Sequence, residues 1–146
     1  MELTAEISQA WGWTGIKPLE IVGENDFGNL IIKDVNGSYW RLCPEDLYCQ
    51  VIAQDRAALD ALATNQDFLQ DWYMSGLVAQ ARERLGALRP GYKYCLKIPG
   101  VLGGEYGGEN LASIPVKELV SVSGHIAKEI ESMQDGAQIQ LKITEQ

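Results

Sequence analysis

"LIIKDVNGSYWRLC", residues 30–43, decides the fold. Two runs rich in β-branched and aromatic residues flank Asn36-Gly37, the dipeptide best suited to the positive φ angles of a tight hairpin turn. The stretch therefore predicts two antiparallel strands. Upstream, "PLEIVG" carries the same β-forming residues between Pro18 and Gly23, and downstream "DLYCQVIAQ" repeats them. Residues 16–54 read as a meander of about four strands.

On either side the period changes. "TAEISQAWGW" places Ile7, Ala10 and Trp11 on one side of a short N-terminal helix within residues 1–15, with Thr4 as its expected cap. From Asp55, the apolar residues Leu59, Leu62, Phe68, Leu69, Trp72, Val78, Ala81, Leu85 and Leu88 fall at helical spacing. Asp55 and Thr64 are the expected caps, Gly76 the expected interruption, and Arg89-Pro90-Gly91 the stop that closes a helical segment over 55–89. Residues 92–143 then read as a strand ("YKYCLKI"), a glycine-rich turn, a helix opened by Ser113 and Pro115, and a last strand ("AQIQLKI"). The expectation is one domain over 1–146, of α+β class: an antiparallel or mixed sheet built on a hairpin meander, with helices packed on one side.

Residues 1–71 hold 12 of the 20 acidic residues and only 4 of the 12 Lys and Arg, so the whole net charge of −8 sits in that half. Such a field repels the phosphate backbone and argues against direct nucleic-acid binding. It favours a basic protein partner. The N-terminus has glutamates where a signal peptide has basic residues, and no apolar run reaches 18 residues, so the expected location is the cytoplasm with no membrane partner. Cys43, Cys49 and Cys95 form no C-x-x-C pair and read as reduced, buried thiols.

The motifs that carry chemistry are missing. "IPGVLGGEYGGEN", residues 98–110, lacks the Lys and Ser/Thr of a phosphate-binding loop and does not match G-x-G-x-x-G. Glu105 and Glu109 would repel an anion there, so the glycines are read as turn or close-approach residues. The lone histidine, His125, has no local carboxylate to orient it, and no G-x-S-x-G elbow exists. No catalytic residue, cofactor or metal is expected. Of the four tryptophans, Trp11, Trp40 and Trp72 read as core, while Trp13, isolated by glycines in "WGWTG", is the one of the four that stands as a candidate for an exposed anchor.

The stretch "GYKYCLKIPGVLGGEYGGENLASIPVKELVSVSGHIAKEI", followed by "QDGAQIQLKI", resembles the C-terminal part of a bacterial family typified by immunity proteins against type VI secretion DNase effectors. The features that carry the resemblance are the apolar-Leu-Gly-Gly turn Val101-Leu102-Gly103-Gly104, then Asn110-Leu111, then a final helix. "FGNLIIKDVNGSYWRLCPEDLYCQVIAQDRAALDALATNQDF" is similar to that family's acidic hairpin-plus-helix half, so the likeness spans roughly residues 20–143. The resemblance implies a non-catalytic, cytoplasmic protein that binds and neutralises a cognate toxin. It implies no particular binding residue.

From charge, exposure and loop position together, the partner-facing candidates are Trp13, Glu24, Asp26, Asp34, Glu45, Asp46, Glu105 and Tyr106. Two other readings stay open at this point: a small-molecule or sensor domain using the glycine-rich turn, and a homo-oligomer pairing through an exposed strand edge.

Overall fold

A computed structural model describes residues 2–133. The expected strand "AQIQLKI" lies outside the described residues.

The meander forms as the sequence predicts: β1 (Pro18–Glu24), β2 (Leu30–Asp34), β3 (Tyr39–Cys43) and β4 (Tyr48–Ala53) make one antiparallel sheet in the order β1-β2-β3-β4. The Asn36-Gly37 hairpin sets the β2–β3 register, with Leu30 opposite Leu42 and Ile32 opposite Trp40. Gly37 has φ +92°, the left-handed conformation for which glycine is suited.

Period-2 alternation then gives the sheet two apolar faces. Leu30, Ile32, Leu42 and Cys49 point to one face and meet Ile7 and Trp11 of α1 (Glu2–Trp11) and Val120 and Ala127 of α5 (Val116–Glu131). Ile31, Tyr39 and Ala53 point to the other and meet Leu59 and Leu62 of α2 (Arg56–Leu62) and Phe68 and Trp72 of α3 (Gln66–Tyr73). Helices thus cover both faces, not the single side expected from the sequence. Hydrophobic alternation on β2 and β3 is incomplete because both faces are buried, and a fully buried strand shows no polar side.

The C-terminal half is a second, two-stranded antiparallel sheet of β5 (Tyr92–Leu96) and β6 (Leu111–Pro115), with Leu96 opposite Leu111 and Tyr92 opposite Pro115. Tyr94, Leu96 and Leu111 pack on Ala81 of α4 (Ser75–Leu85) and on Phe27 from the turn after β1. The Tyr94 N–H also donates to the Asp26 carbonyl at 2.9 Å, tying this hairpin to the large sheet. Its connection, residues 97–110, is the glycine-rich stretch.

Several local expectations shift. Helix α1 begins at Glu2, ahead of Thr4. Asp55 does cap α2 through the Ala58 N–H, but α3 is capped by Asn65 rather than Thr64. Gly76 lies inside α4, and the break falls at Met74, which adopts φ +49° and ψ +42°. Tertiary packing selects that break: Met74 packs onto the Tyr94–Leu96 cluster and its sulfur lies 3.7 Å from the Asn25 amide. Leu111–Pro115 is a strand, with the helix starting only at Val116. "LASIP" has little strand signal of its own and becomes a strand by pairing with β5.

Candidate interaction site

The site lies at the end of the large sheet opposite the Asn36-Gly37 hairpin, where the turn Pro44–Asp46 meets the glycine-rich loop. Its foundation is buried and polar. Asn25, 7% exposed, accepts the Phe27 and Asn29 N–H groups on Oδ1 at 3.0 and 2.9 Å and donates from Nδ2 to the Trp72 carbonyl at 2.7 Å. That arrangement fixes the turn after β1 and presents Asn29, which has no exposure.

Asn29 then joins two ionisable groups. Its Oδ1 accepts from Arg41 Nε and Nη2 at 3.0 and 2.8 Å, and its Nδ2 donates to Glu45 Oε1 at 2.8 Å. Arg41 is buried, lies 5.1 Å from the centre of the Trp72 ring, and pairs with the exposed carboxylate of Asp71 at 2.5 Å. Burial works against its positive charge, but the hydrogen bond to Asp71, with smaller contributions from Tyr48, Cys43 and the Asp71 charge, outweighs burial and holds it above its ordinary pKa. For Glu45 burial wins: desolvation raises its pKa despite the hydrogen bonds from its own backbone and from Asn29.

Above this foundation sits the loop. Tyr106 donates its hydroxyl to Asp46, and its ring crosses directly over Gly100, where a Cβ would collide with it. A Cβ on Gly104 would collide with the Ile98 carbonyl. Asn110 clamps the two ends of the loop: Oδ1 accepts the Ile98 N–H at 2.8 Å, while Nδ2 donates to the Ile98 and Glu105 carbonyls at 2.9 and 2.7 Å. From the far side Gln80 of α4 accepts the Gly108 N–H at 3.2 Å. The glycines are there for close approach: the Tyr106 ring fills the space against Gly100, and the Ile98 carbonyl and the Asn110 amide fill that against Gly104.

Three apolar residues remain on the outside of this braced loop: Ile98 at 53%, Val101 at 52% and Tyr106 at 48% exposure. Exposed Glu105 and Glu109 flank them, with Asp46 at the base. Among the described residues, Cys43, Glu45 and Asp46 bring ligand-type atoms within 4.8 Å of one another. Burial pushes the Cys43 thiol and the Glu45 carboxyl towards their protonated forms, and Glu45 is engaged by Asn29, so the chemistry of this trio works against holding a cation. The lone histidine, His125, is exposed on α5.

The partner-facing candidates separate. Glu45, Asp46, Glu105 and Tyr106 come together here. Glu24 and Asp26 lie at the same end of the sheet but face Lys93 at 2.6 Å and Arg82 at 3.8 Å respectively. Asp34 lies at the hairpin end and is 3% exposed, accepting the Lys17 and Asn36 N–H groups at 2.8 and 3.0 Å. Glu45 is 5% exposed. Asp34 and Glu45 are therefore internal groups rather than parts of a surface field, because each satisfies turn donors that would otherwise be orphaned. Trp13 is half-buried, stacks on Trp11 with ring centres 5.9 Å apart, and donates its indole N–H to the Ala10 carbonyl at 3.0 Å. It belongs to the packing around α1.

Sequence reasoning missed Asn29, Arg41 and Asn110, whose roles depend on contacts 12 or more residues away. Ile98 and Val101 did carry a signal: apolar residues in a glycine-rich turn, where polar residues are the norm.

The fold is an α+β scaffold that presents a partly apolar loop braced by hydrogen bonds above a buried polar network. Residues 53–127 match the family "T6SS immunity protein Tdi1, C-terminal", and the chain belongs to that family. The matched span holds α2 to α4, the β5–β6 hairpin with its loop, and most of α5. Its fold is similar to the crystal structure of Atu4351 from Agrobacterium tumefaciens, with a TM-score of 0.59 and 15% identity. That similarity covers 85% of this chain and 63% of Atu4351, so the chain spans less than two thirds of that protein. No curated protein sequence matches the chain.

Proposed function

We propose that this protein is a non-catalytic immunity protein that binds a cognate effector of nuclease type in the cytoplasm and neutralises it. The carrying observation is family membership over residues 53–127. Charge supports the nuclease assignment: a nuclease presents a basic substrate cleft, and a chain of net charge −8 associates faster with such a surface through electrostatic steering. No described helix is long and apolar enough to cross a membrane, which accords with action in the cytoplasm.

Co-expression tests the reading. The product of the open reading frame next to this gene is induced in cells with and without this protein, and DNA and RNA integrity are followed together with survival. The expected result is nucleic-acid degradation and death without the protein, and survival with it. Death despite soluble expression of both chains, or killing without nucleic-acid damage, refutes the immunity and nuclease assignments respectively.

A further inference from the structure

Exposed apolar side chains elsewhere on the described surface are scattered: Leu19 and Val22 on β1, Val35 in the hairpin, Val51 on β4, Tyr73 and Leu85 on α3 and α4, and Val122 on α5. Only residues 98–106 gather three of them into one short loop, at about half exposure each. Isolated exposed apolar residues are normal on protein surfaces, whereas a gathered set marks a contact surface.

The same loop is braced at several points. Asn110 binds three of its backbone groups, Asp46 holds the Tyr106 hydroxyl, Gln80 holds Gly108, and Gly103 closes the Gly100–Leu102 turn at φ +92°. Bracing of this kind lowers the entropy lost when the loop docks. The rim is acidic. Asp46 holds the Tyr106 hydroxyl, exposed Glu105 and Glu109 lie beside the apolar residues in sequence, and Lys97 is the one base in the connection 97–110. An apolar centre with a charged margin is the anatomy of a protein interface, and a margin of this sign repels acidic partners while attracting basic ones.

We propose that Ile98, Val101 and Tyr106 form a preformed docking platform for a basic surface of the cognate effector, with Asp46, Glu105 and Glu109 as its steering rim. The proposal rests on the reading of the chain as an immunity protein. The apolar residues supply the contact that slows dissociation, and the acids supply the field that speeds association. Asp46 also positions Tyr106, so its removal acts on both.

The test uses the purified full chain and the purified product of the neighbouring reading frame, with association and dissociation measured at low and high salt. Three variants are compared: Val101→Arg at the platform centre, Glu105→Lys with Glu109→Lys at the rim, and Val122→Arg as a control elsewhere. All four positions are exposed, so the thermal midpoints should stay near that of the parent.

Val101→Arg is expected to weaken binding by about 100-fold, chiefly through faster dissociation. The rim variant is expected to slow association about 10-fold at low salt, with the difference shrinking at high salt. Val122→Arg should bind like the parent. Binding of Val101→Arg at parental strength overturns the platform while leaving the immunity reading intact. A parent chain that neither binds nor protects overturns the immunity reading itself. If light scattering shows a parental dimer that Val101→Arg converts to monomer, the platform's occupant is a second copy of this chain, and the effector assignment is overturned.

Discussion

Replacing Asn29 by alanine should remove the one side chain that joins a buried cation to a buried carboxyl. Three hydrogen bonds to ionisable groups disappear, two from Arg41 and one to Glu45, together with a longer one to the Phe27 carbonyl at 3.5 Å, all made by a residue with no exposure. A hydrogen bond to a charged group contributes about 1.5–3 kcal/mol, and a buried polar group left unpaired costs a similar amount. The loss is smaller than the sum of three, because Arg41 keeps Asp71 and the Trp72 ring. The expected destabilisation is about 3–5 kcal/mol, a large share of the 5–15 kcal/mol typical of a domain. At this chain length it lowers the thermal midpoint by roughly 10–15 °C. Urea unfolding followed by tryptophan fluorescence reads the change, with an unaltered m-value showing that the folded and unfolded states keep their extents. A double-mutant cycle with Glu45→Ala isolates the Asn29–Glu45 arm, for which a coupling of about 1–2 kcal/mol is expected. A loss below about 1 kcal/mol, or strict additivity in the cycle, would refute the argument that Asn29 holds the site's foundation together. The functional corollary is that the Pro44–Asp46 turn loosens, and with it the contact from Asp46 to Tyr106.

Three further outcomes follow from the packing. Because burial raises the pKa of Glu45, the folded state binds the proton more tightly than the unfolded one. The stability contribution of the neutral carboxyl is complete below the ordinary carboxylate range and is lost as pH rises through the raised value. Glu45→Gln should therefore gain on the parent as pH rises from 3 to 7 in paired urea titrations, and a pH-independent difference would contradict the assignment. The thiols of Cys49 and Cys95, pushed up by burial to about 12 and about 11, hold roughly 10⁻⁴ and 10⁻³ of their population as thiolate at pH 8. Iodoacetamide should label neither cysteine in the native protein within the time that labels both in urea, as read by mass spectrometry; rapid native labelling would refute this. Gly124→Ala sets an intrinsic helix gain of about 1 kcal/mol against a Cβ placed 2.5 Å from the Ala10 carbonyl oxygen and 2.8 Å from the Ala10 Cβ. The contact with α1 backbone should win, with a net loss of about 1–3 kcal/mol in thermal or urea unfolding; a stabilised variant would show that α1 and α5 can move apart freely.

Local chemistry was enough to read the meander. Asn36-Gly37 and the β-rich runs around it define the hairpin, and the apolar spacing after Asp55 defines helix, because both signals lie within a few residues of one another. The glycine-rich turn was likewise recognisable as a turn from what it lacks, the lysine and hydroxyl of a phosphate loop. Charge and loop position also drew attention to Asp46, Glu105 and Tyr106, of which the fold brings Tyr106 against Asp46.

Tertiary structure decided the rest. No local pattern distinguishes Asp34 and Glu45, which serve buried turn donors, from Asp46 and Glu105 at the surface. Only the meeting of chain segments 12 to 60 residues apart assigns those roles. The same holds for the strand Leu111–Pro115, which needs β5 as its partner, for the break at Met74, and for the helices on both faces of the sheet. Strand propensity and period are properties of neighbouring residues, whereas burial, pairing and the sign of a carboxyl's pKa shift are properties of what the folded chain brings against them.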